Sequence, residues 1–369
     1  MKKTVPIVSA TPPTHNVGHD LVTVRNDIND FLKLHYEQQR MRADSVHSDY
    51  GFLWEAMAAQ SRAGGKRFRP YLCVLAYEAL GGSNYSHILP ICASLELLHA
   101  AVLIHDDVID RDYVRHNERN VAGTYLQHYG MLLDDESEIK HFAHSAAILS
   151  GDLLISDAYQ LIISSTLTAE QRLRAAELVG EAIYAVSAGE LLDTEAALYP
   201  PDYADSLKIA ELKTALYSCS IPLAIGGMLA GAGIDEQQAL REIGRGLGIA
   251  FQLADDLLGV FGSELLTGKS VIGDLREGKR TYLLQRTLHL SSTAQKALLI
   301  PIIGNPDCTE KMAETARQIM IDCGARGEIE QLMRFYVEQA NRLVTELPIN
   351  SASKKRLSDF IDLAVWRNS

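Results

Sequence analysis

The chain of 369 residues has no cysteine pair at CxxC spacing, no clean run of alternating β-branched residues and no Asn-Gly hairpin turn. Its five cysteines (Cys73, Cys92, Cys219, Cys308 and Cys323) are scattered, which points to reduced, mostly buried thiols and a cytoplasmic protein. Positive charge is also in short supply. With 35 Lys and Arg against 47 Asp and Glu, the net charge is −12, and a nucleic-acid partner, which needs a basic face, is not expected. An anionic substrate is still allowed, because local basic clusters and metal ions can override a global charge. Pro6, Pro12 and Pro13 interrupt any apolar core of a signal peptide behind Met1-Lys2-Lys3. The longest apolar stretch, Ile88 to Ile104, carries Glu96 and His99 and reads as too short and too polar to span a membrane. A soluble protein is expected.

Hydrophobic residues make up 47% and charged residues 22% of the chain, enough for a sizeable core. Apolar positions recur at three and four spacing, so the sequence predicts an all-α fold. Residues 1–18 are polar and Pro-containing and read as a poorly ordered segment; 19–369 read as one helical domain without a linker. Helices are expected over Leu21–Asp44, Gly51–Ala63, from Pro70 to Gly81-Gly82, and along an apolar stretch ending near Tyr113. Asp134 to Glu138 reads as a solvated connecting loop. Thr168-Ala169-Glu170-Gln171 has the form of a capping box and should open a helix to about Glu195. Further helices fit Ala204–Ala230 and Asp235–Val260. The Gly-containing segment Phe261 to Gly278 reads as a loop, and smaller helices should fill the C-terminal third.

Chemistry concentrates in two acidic clusters, Asp106-Asp107-Val108-Ile109-Asp110 and Asp255-Asp256, each behind an apolar helical run. At about 100° per residue, Asp106 and Asp110 share one helix face with Asp107 on its flank. Like charges so close raise one another's pKa unless a cation sits among them. Mg²⁺ takes one or two carboxylates plus substrate phosphates, so the clusters suggest two facing helices holding Mg²⁺ against a phosphorylated substrate. Gly64-Gly65-Lys66-Arg67-Phe68-Arg69-Pro70 adds three cations within four residues beside two glycines, a grouping that can grip an anion. Cations at a helix start oppose its dipole, which a purely structural role would not select. A second basic, Gly-containing element, Gly268 to Thr281, follows the second cluster without forming a P-loop.

In consistent order over about residues 50–290, this set resembles the trans-isoprenyl diphosphate synthases, or polyprenyl synthetases. GGKRFRP, LIHDDVID, Arg115, GDLL at 151–154, Gly189 and Asp193, Lys213-Thr214, FQLADD and GKRT at 278–281 carry the likeness. The resemblance implies a single all-α domain around a deep central cavity, normally a homodimer. It implies that Asp106, Asp107 and Asp110 with Asp255 bind about three Mg²⁺ on the diphosphate of an allylic substrate, with Asp256 and Asp274 as supporting acids. Arg115, Lys213 and Lys269 would contact that diphosphate, and Lys279 would join the substrate-binding set. Lys66, Arg69 and His99 would hold isopentenyl diphosphate, and Gln252 with Lys213-Thr214 would lie near the developing carbocation. The implied primers are dimethylallyl, geranyl or farnesyl diphosphate. The DDLLG form of the second cluster is most like actinobacterial-type geranylgeranyl diphosphate synthases.

Three residues depart from the family pattern: His116 in place of a second arginine, Glu190 in place of glutamine, and Gly259 in place of the third aspartate of the second cluster. A terpene cyclase would not need a second diphosphate site, and a regulatory subunit of a heteromeric synthase would have lost acids or bases that this chain keeps. Product length, in the family, depends on residues four and five positions before the first cluster. Here these are Val102 and Ala101, with Leu98 and Leu95 deeper. No aromatic ring stands there, so a C20 product is expected, with longer chains as the alternative.

Overall fold

Helices open where a side-chain oxygen replaces the missing intrahelical acceptor. Asp20 accepts from Thr23 N and starts α1 (Leu21–Asp44); Asn120 accepts from Gly123 N and starts α5 (Val121–Gly130). Asp135 caps Ser137 and Glu138 and starts α6 (Glu136–Ser164). The expected acidic loop at 134–138 is therefore a helix start, its carboxylates favoured by the helix dipole. The capping box of Thr168 and Gln171 opens α7 (Ala169–Ala196), as its sequence predicts. The computed structural model describes residues 18–200, 205–262 and 272–366.

The fold is all-α. Between α1 and α5 lie α2 (Ser48–Arg62), α3 (Phe68–Ala79) and α4 (Tyr85–Ile109). Beyond α7 come α8 (Ser206–Ala210), a π-helical segment (Glu211–Ser220), α9 (Ile221–Leu229) and α10 (Ile234–Phe261). The C-terminal part holds α11 (Gly273–Glu277), α12 (Tyr282–Leu290), α13 (Thr293–Leu299), α14 (Glu310–Asp322), α15 (Ala325–Glu346) and α16 (Ser351–Val365). At 22 residues, α15 is longer than the small helices expected there, and it packs along α10. Pro70 sits at the third residue of α3 rather than its start, and α2 begins three residues early at Ser48.

The two helices that carry the acidic clusters are central. α4 packs chiefly on α6, and α10 on the π segment and α15. The 25-residue α4, α6 and the run Ser206–Leu229 are each long and apolar enough to cross a membrane by length and composition. The expectation that Ile88–Ile104 is too short therefore fails, because the helix extends past the apolar run at both ends. Ile88, Ile91, Leu95, Leu98 and Ile104 are buried in the hydrophobic core, and a helix apolar all round suits that position.

Two further departures from the sequence reading position side chains. α4 ends at Ile109, and the chain reverses through Arg111 (φ 61°) into a two-stranded hairpin, β1 (Val114–Arg115) with β2 (Glu118–Arg119). Its two-residue turn, His116-Asn117, has φ 53° and 62°, the left-handed pair that a tight hairpin requires. The helix expected over Ala204–Ala230 contains the π segment. That wide turn fits because α7 and α10 approach it with glycines: a Cβ on Gly189 would lie 2.4 Å from Lys213 N, and one on Gly248 2.3 Å from Ala215 Cα.

Candidate active site

At the C-terminal end of α4 the three aspartates have different surroundings. Asp107 is 2% exposed. Its Oδ1 accepts from Arg115 Nε at 2.7 Å and its Oδ2 from Gln60 Nε2 at 2.9 Å. Burial outweighs these partners and pushes its carboxyl up to about 6. Asp106 accepts from Arg115 Nη2 at 2.8 Å and stands 3.4 Å from Lys213 Nζ. Asp110 is exposed, and burial of its surroundings together with the Asp106 charge raises its carboxyl. The hairpin thus serves to hold Arg115 across two aspartates of the helix before it.

Lys213, on the π segment, is enclosed by carboxylates: Asp193 at 2.7 Å, Glu190 at 2.9 Å and Asp106 at 3.4 Å. Burial opposes its charge, but the three acids outweigh burial and keep it protonated. Burial likewise raises the Glu190 carboxyl against the pull of Lys213. Next to it, Thr214 Oγ1 donates to Gln252 Oε1 at 2.7 Å, and Gln252 Nε2 donates to Asp256 Oδ1 at 2.8 Å. Asp256 is 6% exposed, and burial pushes its carboxyl up to about 7. Asp255, the other acid of the second cluster, is exposed.

Of the three cations in GGKRFRP, one turns inward. Arg67, at φ 52°, is 9% exposed and donates to Glu96 Oε2 at 2.7 Å, Asn29 Oδ1 at 2.9 Å and the Ser61 carbonyl at 2.9 Å. It is a buried tie between α1, α2, α3 and α4, not part of an anion grip. Lys66 is exposed, 5.7 Å from the centre of the Phe68 ring. Arg69 donates to Tyr217 Oη at 2.8 Å and Ser218 Oγ at 2.7 Å, with its guanidinium 4.7 Å from the Tyr217 ring centre. Tyr217 Oη also meets His99 Nδ1 at 3.2 Å. Burial, then the nearby Arg69, hold the His99 imidazole well below its usual range. Tyr217, Ser218 and Gln60 were not singled out in the sequence; Tyr217's four-residue spacing from Lys213 was the available signal.

Lys279 pairs with Asp274 at 3.1 Å and Glu277 at 3.0 Å. Lys269 lies outside the described residues. Among the positions tied to product length, Ala101 and Leu98 are buried and Val102 is half-buried. Among the described residues, no three His, Cys, Asp or Glu side chains stand close enough to hold a metal by themselves. The oxygen donors of Asp106, Asp110 and Asp255 fit Mg²⁺, a hard cation that takes few protein carboxylates and completes its shell with water and substrate phosphates.

A family model described as Polyprenyl synthetase matches residues 52–320. The chain belongs to the polyprenyl synthetase family. Its relatives include the geranylfarnesyl diphosphate synthase of Aeropyrum pernix, 36% identical over 83% of this chain and 91% of that protein. The octaprenyl diphosphate synthase of Escherichia coli is 30% identical over 83% of this chain and 87% of that one. A geranylgeranyl pyrophosphate synthase of Corynebacterium glutamicum, complexed with isoprenyl diphosphate and magnesium, is similar with a TM-score of 0.87 and 27% identity, covering 95% of this chain and 100% of that one. Like these relatives, the chain is a prenyltransferase with the all-α isoprenoid synthase fold.

Two of the three departures from the polyprenyl synthetase pattern, His116 and Gly259, have structural accounts. His116 is a turn residue whose ring lies against the GGK loop: a Cβ on Gly64 would be 3.2 Å from His116 Cδ2. At Gly259, a Cβ would lie 1.9 Å from Asp274 Oδ2. Asp274 of α11 thus occupies the space that a side chain at position 259 would need.

Proposed function

We propose that this synthase condenses isopentenyl diphosphate with an allylic diphosphate by ionisation, condensation and elimination, and that its product is C20 geranylgeranyl diphosphate. The observation that carries the reading is the division of the cations into two sets. Arg115 and Lys213 stand on the first acidic cluster, whereas Arg69 stands with Tyr217 and His99. Joining two diphosphates needs two anion sites; a cyclase acting on one substrate needs only one. His99 and Asp106 lie seven residues apart on α4, about 10 Å along its axis.

In this reading Asp106, Asp110 and Asp255 hold Mg²⁺, which supplies charge neutralisation for the departing diphosphate. Asp107 and Asp256 support them from buried positions. Arg115 and Lys213 bind the allylic diphosphate, aided by Lys269 and Lys279, and stabilise the charge that builds on it as the C–O bond breaks. Thr214 and Gln252 direct oxygen dipoles at the allylic cation. Lys66, Arg69 and His99 orient isopentenyl diphosphate so that its double bond attacks, and the proton is then lost to the released diphosphate. Apolar walls keep water from the cation. Val102 supports the C20 product: it is half-buried beneath the cluster and carries no ring. The likeness to the A. pernix enzyme favours a second reading, a C25 product.

The protein is further proposed to act as a cytoplasmic homodimer whose single helical domain spans 19–369. Exposed large apolar residues on α6 and α7, among them Leu149, Ile163 and Tyr184, support a protein partner for these helices. The purified protein incubated with Mg²⁺, isopentenyl diphosphate and each allylic primer tests the activity, with products identified by mass spectrometry. Sedimentation tests the dimer.

A further inference from the structure

Lys213 carries more negative charge around it than a diphosphate-binding cation needs. Asp193 alone neutralises its charge, accepting from the ammonium at 2.7 Å, and Asp106 is shared with Arg115. Glu190 adds a third carboxylate at 2.9 Å, itself 15% exposed and set beside Lys213 by the close crossing of α7 and the π segment at Gly189. Among the described residues, Lys213 is the one Arg or Lys paired with Glu190. A half-buried carboxylate in this position acts on the ammonium in two ways. It competes directly for the lysine, and it repels any polyanion that approaches the same group.

We propose that Glu190 is a counter-charge that restrains Lys213 and weakens the grip on the primer diphosphate, so that it sets primer affinity and the ease of diphosphate release. The inference rests on the reading of Lys213 as a primer contact. Glutamine has the same shape and hydrogen-bonding reach without the charge, so Glu190→Gln isolates the electrostatic part. No bond is made or broken by Glu190; its effect is on binding.

The test is calorimetric binding of inorganic diphosphate at saturating Mg²⁺ to the wild-type protein, Glu190→Gln, Lys213→Ala and the double variant. Primer KM is measured alongside. Glu190→Gln should bind diphosphate about three- to tenfold more tightly and lower the primer KM in step, the size of effect a single half-buried charge pair exerts. The KM for isopentenyl diphosphate should stay as it is. In the Lys213→Ala background the same substitution should change diphosphate affinity much less. Equal or weaker binding by Glu190→Gln overturns the proposal, because a merely structural carboxylate would weaken or preserve the site rather than tighten it. Should Glu190→Gln fold poorly, Glu190→Ala must give the same tightening. A Lys213→Ala protein that binds diphosphate as well as the wild type overturns the primer-contact reading itself, a separate and recognisable result.

Discussion

Tyr217 links Arg69 to His99: its hydroxyl accepts from Arg69 at 2.8 Å and meets His99 Nδ1 at 3.2 Å, while its ring lies 4.7 Å beneath the guanidinium. One residue of the π segment thus fixes two groups from α3 and α4. Tyr217→Phe keeps the ring and removes the hydroxyl. Losing a hydrogen bond to a charged group is worth about 1.5–3 kcal/mol, so the KM for isopentenyl diphosphate should rise about tenfold or more. Steady-state kinetics should leave the primer KM little changed; a selective primer defect would reverse the assignment of the two sites. Arg69→Lys, which loses the forked geometry, should act in the same direction.

The first acidic cluster should divide by function. Both Asp107 oxygens already hold protein donors, Arg115 and Gln60, whereas Asp110 is exposed. Asp110→Ala is therefore expected to raise the Mg²⁺ concentration needed for half-maximal rate. Asp107→Asn should cut turnover by about a hundredfold at saturating Mg²⁺, by releasing Arg115 from its position on the leaving group. Near-normal turnover of Asp107→Asn would remove Arg115 positioning from the account.

Product length offers a second division. Val102 is half-buried and lies about 40° from the Asp106 face, whereas Ala101 is fully buried. Val102→Phe should shorten the product towards C15 with little loss of stability. Ala101→Phe should shorten it too, at a cost of about 1–3 kcal/mol for overpacking a filled site. Mass spectrometry of the products with thermal melts of both variants checks this; unchanged chain lengths would mean that the tail leaves α4 by another route.

His99 gives the stability of the fold an acid limb. Its folded-state pKa is lowered by burial and by Arg69. Below the ordinary histidine value of about 6.5, the unfolded chain takes up a proton that the folded chain resists. The contribution of His99 is therefore present above that pH and is lost as pH falls through the folded value. His99→Gln should lose less of its urea midpoint than the wild type between about pH 7.5 and pH 5.5. Equal losses would show that the imidazole is not held neutral.

Much of this was legible in the sequence because it is local. Caps such as Thr168 with Gln171, the three-and-four apolar spacing and the acidic clusters are patterns within one helix. What escaped depends on pairs distant in sequence. Nothing near Arg67 marks it as the partner of Glu96, and the basic run reads as a uniform grip until one cation is found buried. The hairpin after α4 has no alternating strand pattern; it is set by two left-handed residues and by Arg115 reaching back to α4. The π segment has helical periodicity, and its extra width becomes visible only where glycines of α7 and α10 make room for it. Gly259 looks like a lost ligand until Asp274 is seen to leave no room for a side chain there.

The central claim is that two diphosphates are joined on this chain. Purified protein given isopentenyl diphosphate, farnesyl diphosphate and Mg²⁺ should yield geranylgeranyl diphosphate with release of inorganic diphosphate, and chelation of the metal should stop the reaction. An intact farnesyl diphosphate pool, or a cyclised hydrocarbon formed without isopentenyl diphosphate, would contradict it.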